Sequence, residues 1–285
     1  MTFIGNVTIG DRIPVRIMGI INASPESFYK NSINTSIREI TKTAREMQQY
    51  GADILDIGAM STAPYLETNI SVEEELKRMR YALEGVKKGC DLPISIDTPR
   101  SKVATEAIKY GVNAINDISG LKYDENMRYT ISKAKIPVII GAFGDRLSSG
   151  RSGKVSSTIK TLNESLLIAK RAKIDDNNII IDPSIGFFRA EAKNSFFTKI
   201  KDMSWYTRDI EAISKLRKLK IFSKPICISV SRKSFIGTLF QLKPKDRLIP
   251  SIVSEIISVI NGANMIRTHD VKQTVQALTM LELLY

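Results

Sequence analysis

Residues 225–237 read Pro-Ile-Cys-Ile-Ser-Val-Ser-Arg-Lys-Ser-Phe-Ile-Gly. The first half, Ile226-Cys-Ile-Ser-Val230, is a short apolar, β-branched run of the kind a fully buried strand needs. It stops abruptly at Ser231, Arg232, Lys233 and Ser234, two hydroxyls and two cations in four residues. In α/β proteins ligands gather where strands leave the core at their carboxyl ends. A pair of cations after one strand is equally well explained as a solvated loop. The reading turns on whether other strands of the chain end in the same way.

They do. Working outward, apolar runs suited to strands occupy residues 15–21, 53–57, 93–96, 113–115, 137–140, 178–181 and 264–266. Between them lie helical patterns at 36–50, 71–88, 101–110, 125–134, 158–173, 204–219, 247–261 and 271–284. Ile37, Ile40, Ala44 and Met47 form one helical stripe, and Ser71 with Glu74 matches a capping box. Gly51, Gly111 and Gly262 stand where helices should stop. Residues 3–7 and 12–14 suggest a small hairpin ahead of the main body. Residues 141–155, rich in Gly and Ser, read as a mobile loop, and 184–203 is a connection long enough to suggest function.

Eight strand–helix units without a break in composition imply parallel strands with right-handed crossovers. One domain spanning residues 1–285 as a TIM (β/α)8 barrel fits the length, with a doubly wound open sheet as the alternative. No G-x-G-x-x-G opens any helix, which counts against a dinucleotide fold.

Composition narrows the function classes. Hydrophobic residues make up 43% and charged residues 25%, ordinary for a soluble globular protein. No apolar stretch is long enough to cross a bilayer, and no secretory signal opens the sequence. Two cysteines, Cys90 and Cys227, read as reduced thiols of a cytoplasmic protein. The formal charge of +12 raises nucleic acid as a partner, yet the cations are spread over helices and no nucleic-acid motif accompanies them. Charged helical exteriors explain them better, so neither nucleic acid nor membrane is expected as a partner.

In a barrel, Asn22, Asp56, Asp97, Asn116, Asp182, Lys233, Arg267 and His269 would converge on one face. Any one of them could be a simple cap, Asp97 and Asp117 above all. Eight together are hard to explain that way. Asp97 and Asp182 offer acceptors, and Asn116 both donates and accepts, a set suited to a flat heterocycle with adjacent N–H groups. Arg267 and His269, two apart after the last strand, suit an anion, and near a carboxylate or phosphate the imidazole could stay protonated. No His or Cys cluster suggests zinc. A hard cation such as Mg2+ needs little beyond one protein oxygen, for which Asn22 is the candidate.

These residues fall in blocks that resemble the dihydropteroate synthase family. The blocks are Met18-Gly-Ile-Ile-Asn-Ala-Ser-Pro-Glu-Ser-Phe28, Asp53-Ile-Leu-Asp-Ile-Gly58 with Ser61-Thr62, Ser95-Ile-Asp-Thr98 and Ala114-Ile-Asn-Asp-Ile118. Ile180-Ile-Asp-Pro-Ser-Ile-Gly-Phe187, Ser231-Arg-Lys-Ser-Phe-Ile-Gly237 and Arg267-Thr-His-Asp270 complete them. The resemblance implies a TIM barrel, homodimeric, that condenses a 7,8-dihydropterin methyl diphosphate with an arylamine and releases diphosphate. It places Asp97, Asn116, Asp182 and Lys233 on the pterin, and Asn22, Thr62, Arg267 and His269 on the diphosphate. Thr62, Pro64 and Ser231 fall to the arylamine, Asn22 to Mg2+, and Lys233, Arg267 and His269 to catalysis.

The chain also departs from the family's pattern. Ala63 stands where the family usually has arginine, and Phe188 where it usually has glycine. The arylamine would be p-aminobenzoate or its ribosyl-phosphate derivative, with Lys30, Arg146, Arg151 or Arg189 as replacement cations. A methylpterin-dependent corrinoid methyltransferase and a pterin-binding protein without catalysis are the alternatives.

Overall fold

A computed structural model describes residues 1–24, 36–68, 70–144, 155–201 and 203–284. Its centre is a sheet of eight parallel strands: β3 (Arg16–Asn22), β4 (Ile54–Gly58), β5 (Ile94–Asp97), β6 (Ala114–Asp117), β7 (Val138–Gly141), β8 (Ile179–Asp182), β11 (Cys227–Ile228) and β12 (Met265–Thr268). They run in the order β11-β12-β3-β4-β5-β6-β7-β8. The two ends meet through an Ile181–Ile226 bridge and a bond from Ile181 N–H to the Pro225 carbonyl at 3.0 Å. The sheet is thereby a nearly closed barrel, as the alternation of strands and helices implies, and the open doubly wound sheet is excluded.

Helices α1 (Ile37–Gln49), α2 (Val72–Gly89), α3 (Ser101–Lys109), α4 (Met127–Ala134), α5 (Val155–Arg171), α6 (Trp205–Ser214), α8 (Leu248–Ile260) and α9 (Val271–Leu284) alternate with the strands. A short α7 (Ser234–Phe240) is inserted after β11. Ser36 caps α1 through a complete capping box with Glu39. Only half of the box expected at Ser71 forms: its hydroxyl accepts from Glu74 N–H, while the Glu74 carboxylate goes to Arg78 at 2.9 Å.

Strand register sorts the side chains. Met18, Ile54, Ala114, Ile139, Ile180, Cys227 and Met265 form one buried cluster inside the barrel. Because side chains alternate with period two, the residues two positions on, including Asp56, Asn116, Asp182, Ser229 and Arg267, also point inward, one layer higher. The intervening residues, Ile57, Ile115, Ile181 and Ile266 among them, pack outward into the larger core under the helices. The floor is closed by a hairpin of β1 (Thr2–Ile4) and β2 (Val7–Ile9), whose Ile4 and Ile9 join the interior cluster. Apolar contact therefore fills the lower barrel, and polar side chains are confined to its upper end.

Several expected boundaries move. The hairpin turns at Gly5 rather than after Val7, because a tight turn there needs the positive φ of 58° that glycine tolerates. Most strands run one or two residues further into their polar ends than their apolar runs suggest, since ladder bonds do not require apolar side chains. The helix expected over 204–219 stops at Ser214 and continues as a 3-10 turn, Leu216–Phe222. The connection 184–203 is not structureless: β9 (Phe188–Arg189) pairs in parallel with β10 (Thr198–Lys199). Most of the loop expected to be mobile lies outside the described residues.

Candidate active site

At the carboxyl ends of the strands a cleft of about 660 Å³ opens. Asn22, Asp97, Lys233, Arg267 and His269 line it, together with Thr62, Ala63, Pro64 and Tyr65. It shares Asp97, Phe187, Ser229, Lys233 and Arg267 with an inner pocket whose further walls include Asn116 and Asp182. The strand-end residues converge, as the barrel requires.

Asp56 is the hub of the inner layer. It is fully buried, and its Oδ2 accepts from Arg267 Nε at 2.6 Å and from Asn116 Nδ2 at 3.0 Å. Arg267 reaches on to Asp97 Oδ2 at 2.7 Å through Nη2. One guanidinium thus ties three strands of the barrel together. Asp56 Oδ1 and Asp97 Oδ1 are buried without a hydrogen-bond partner, and an unpaired buried acceptor is costly unless a ligand satisfies it. Burial, against the pull of Arg267 and helped by Asp56 beside it, leaves the Asp97 carboxyl raised to about 7. Asp182 is raised by burial as well, against a bond from Ser184 N–H at 2.6 Å and the fields of Lys233 and Arg267.

Lys233 projects between the acids, its Nζ 4.5 Å from the centre of the Phe187 ring. Burial and then Arg267 lower it to about 8, while Asp182, Asp209 and Asp97 hold it up. The two cations of the 225–237 stretch therefore do opposite things. Arg232, with φ of 54°, turns away and forms a two-pronged pair with Asp270 at 2.8 and 2.7 Å while bonding the Pro244 and Lys245 carbonyls. Lys233 alone enters the site. Asp117 also faces away and caps a turn, accepting from Ser119 and Leu121.

His269 Nδ1 lies 3.1 Å from Ser231 Oγ, and Nε2 lies 3.4 Å from Asn22 Nδ2. Burial first, then Arg267, Lys233 and Arg232, hold the imidazole well below its ordinary value. In the free site its charged neighbours are cations, so the anion that could keep the imidazole protonated has to come with a ligand. A bound anion would reverse the field. Ser231 is buried and supports His269 rather than lining the cleft.

Two loops meet across the mouth. Pro64 and Ala63 offer their carbonyls to Lys193 N–H and Asn194 Nδ2, both at 2.7 Å. Thr62 and Pro64 are buried in the cleft wall. Arg189 does not fill in for the side chain missing at Ala63: its guanidinium stacks 3.4 Å over Trp205 and bonds the Gly186 carbonyl and Ser234 Oγ. Lys30, Arg146 and Arg151 lie outside the described residues. Residue-by-residue reading missed the hub role of Asp56 and the walls made by Phe187, Ser229 and Tyr65. Ser229 was recoverable, since it lies midway between inward Cys227 and Ser231, whereas nothing in the sequence marks Tyr65.

Asn22 presents an amide at the rim, the donor type a hard cation takes. The described residues contain no cluster of three or more His, Cys, Asp or Glu suited to a metal. A cation there fits only if ligand oxygens and water complete its shell.

A model of the pterin binding enzyme family matches residues 18–269. The dihydropteroate synthase of Clostridium beijerinckii is 34% identical over 277 residues, covering 97% of this chain and 96% of its own. A Clostridium difficile dihydropteroate synthase, crystallised in the presence of pteroic acid, superposes with a TM-score of 0.82 at 31% identity, covering 98% of this chain and 99% of that one. The Xanthomonas albilineans dihydropteroate synthase in complex with 7,8-dihydropteroate gives 0.77 at 27% identity, with 95% and 93% covered.

Proposed function

The chain belongs to the pterin binding enzyme family, and from that premise we propose that it is a transferase catalysing the dihydropteroate synthase reaction. The nitrogen of an arylamine bonds to the exocyclic carbon of a dihydropterin methyl diphosphate, the carbon–oxygen bond to diphosphate breaks, and the amine gives up a proton. The observation that carries this reading is the inner pocket, where Asp97, Asn116, Asp182 and Lys233 converge on one lining. Its acceptors suit the ring's N–H groups and its ammonium the ring carbonyl. The 7,8-dihydropteroate named with the Xanthomonas albilineans enzyme is the product such a pocket would release.

Catalysis falls to groups at the junction of pocket and cleft. Lys233 and Arg267 set a positive field where negative charge develops on the departing diphosphate. His269 offers a ring nitrogen to the same oxygens, and Ser231 fixes its orientation. Asn22 and Thr62 would complete the diphosphate site, with Mg2+ held by Asn22 and the diphosphate itself. When bound, the cation would neutralise phosphate charge. Thr62 and Pro64 would border the arylamine, either p-aminobenzoate or its ribosyl phosphate, with orientation in the cleft supplying much of the rate. Incubating the protein with the pterin diphosphate and a panel of arylamines tests this. Release of diphosphate with formation of a pteroate is expected; pterin binding without condensation of any arylamine would overturn the catalytic reading.

We also propose a homodimer, which the exterior of α8 supports. Its buried side carries Ser251, Glu255 and Ser258, while Ile249, Val253 and Ile257 are 77%, 57% and 42% exposed. This inverted pattern, continued by Met280 and Leu283 on α9, suits cover by a second copy. Sedimentation should find a dimer that Val253→Glu converts to monomer; a monomeric parent protein would contradict it. No helix among the described residues is long and apolar enough to cross a membrane.

A further inference from the structure

Between Asp182 and Phe187 the chain makes a loop, residues 183–186, with two left-handed positions, Ser184 at φ 54° and Gly186 at φ 85°. Such a conformation persists when the surroundings hold it. Here the holding is done by two adjacent side chains of α6. Arg208 Nη2 donates to the Pro183 carbonyl at 2.6 Å and Nη1 to the Ser184 carbonyl at 3.4 Å. Asp209 Oδ2 accepts from Gly186 N–H at 3.0 Å.

The two are also an ion pair, Nη1 to Oδ1 at 3.2 Å, with side chains 1% and 0% exposed. Arg208 is anchored further by Thr158 Oγ1 at 2.7 Å and by the Phe188 ring, 3.6 Å below its guanidinium. A buried pair of this kind is not required for stability, because apolar residues of similar volume often serve as well. What the pair touches is the segment that aims two pocket walls.

We propose that Arg208 and Asp209 are positioning residues of the pterin pocket, holding the 183–186 loop so that Asp182 and Phe187 face the ring, with Asp209 fixing the Gly186 backbone that packs against the Lys233 side chain. This rests on the pterin reading of the pocket. The charges facing Lys233 are Asp97 from β5, Asp182 from β8, Asp209 from α6 and Arg267 from β12, and the three carboxylates hold its proton against burial and Arg267. Removing one carboxylate weakens that hold.

Steady-state kinetics of Asp209→Asn, which keeps an acceptor for Gly186 N–H but loses the charge, provides the test. The KM for the pterin diphosphate should rise about 10-fold while the KM for the arylamine stays put. The basic limb of the kcat/KM profile, set by Lys233 near 8, should move to lower pH. The double variant Arg208→Met/Asp209→Asn removes both charges and guards against a fold lost to an unpaired arginine; it should fold cooperatively, with a lower midpoint from the acceptors Arg208 served, and show the same pterin defect. An unmoved basic limb, equal rises in both KM values, or a double variant with the parent's pterin KM would each overturn the proposal. Should the parent protein itself bind no pterin and release no diphosphate, the pocket reading fails instead.

Discussion

In the inner pocket the polar groups come from strand ends or directly beyond them, buried and bound to one another: Asp56, Asp97, Asn116 and Arg267 share three bonds of 2.6–3.0 Å. At the mouth the contacts run between loops and go through the backbone, as where Ala63 and Pro64 meet Asn194 and Lys193. The first arrangement is stiff and suits a ligand whose hydrogen-bonding edge never changes. The second is made by carbonyls and leaves the Ala63 side chain out of the contact. A stiff, strand-built half and a loop-built half thus come from different parts of the same (βα) units.

The difference can be broken at its strongest point first. Arg267→Met leaves Asp56 and Asp97 buried without their counterion, which should cost about 3–5 kcal/mol of stability and abolish pterin binding. Denaturant unfolding checks the first effect, and adding Asp56→Asn should recover part of it. An unchanged unfolding midpoint would show that the guanidinium is not the tie it resembles. Next in size, Asp182→Asn should weaken the pterin by about 2–3 kcal/mol, on the order of 100-fold, without a comparable change for the arylamine. Calorimetry with the diphosphate ester reads this, and equal losses for both ligands would erase the distinction between pocket and mouth.

The same contrast governs what could be read from the chain. The lower and upper barrel were legible because strand side chains alternate: once Met265 is inward, Arg267 and His269 must be inward too. What the register leaves open is which inward groups touch across the barrel. Nothing adjacent in sequence says that Arg267 spends two of its nitrogens on Asp56 and Asp97, or that Arg232 turns outward to Asp270 while its neighbour Lys233 turns in. The mouth has no period at all. Its closure depends on Asn194 meeting Ala63, 131 residues apart, and the 3-10 end of α6 and the brief α7 arise from packing that overrides local propensity.

A smaller effect sharpens the loop-built side. Asn194→Ala removes the side-chain bonds to the Ala63 and Leu66 carbonyls, at 2.7 and 3.1 Å. It should raise the arylamine KM by roughly 3–10-fold, about 1 kcal/mol, while leaving the pterin KM alone. A pterin defect of equal size would mean that the two halves move together.

His269, the chain's single histidine, stands on the boundary between the halves and gives one unambiguous resonance for a proton NMR titration. In the free protein it is held well below its ordinary 6.5 by burial and by Arg267, Lys233 and Arg232. Inorganic pyrophosphate, bringing negative charge to that point, should raise it, so that binding takes up a proton and tightens as the pH falls from the raised value to the depressed one of the free protein. A pterin without phosphates should occupy the inner pocket and leave the titration where it was. Pterin alone raising the histidine, or pyrophosphate leaving it untouched, would contradict a site divided between a ring-binding pocket and a diphosphate-binding mouth.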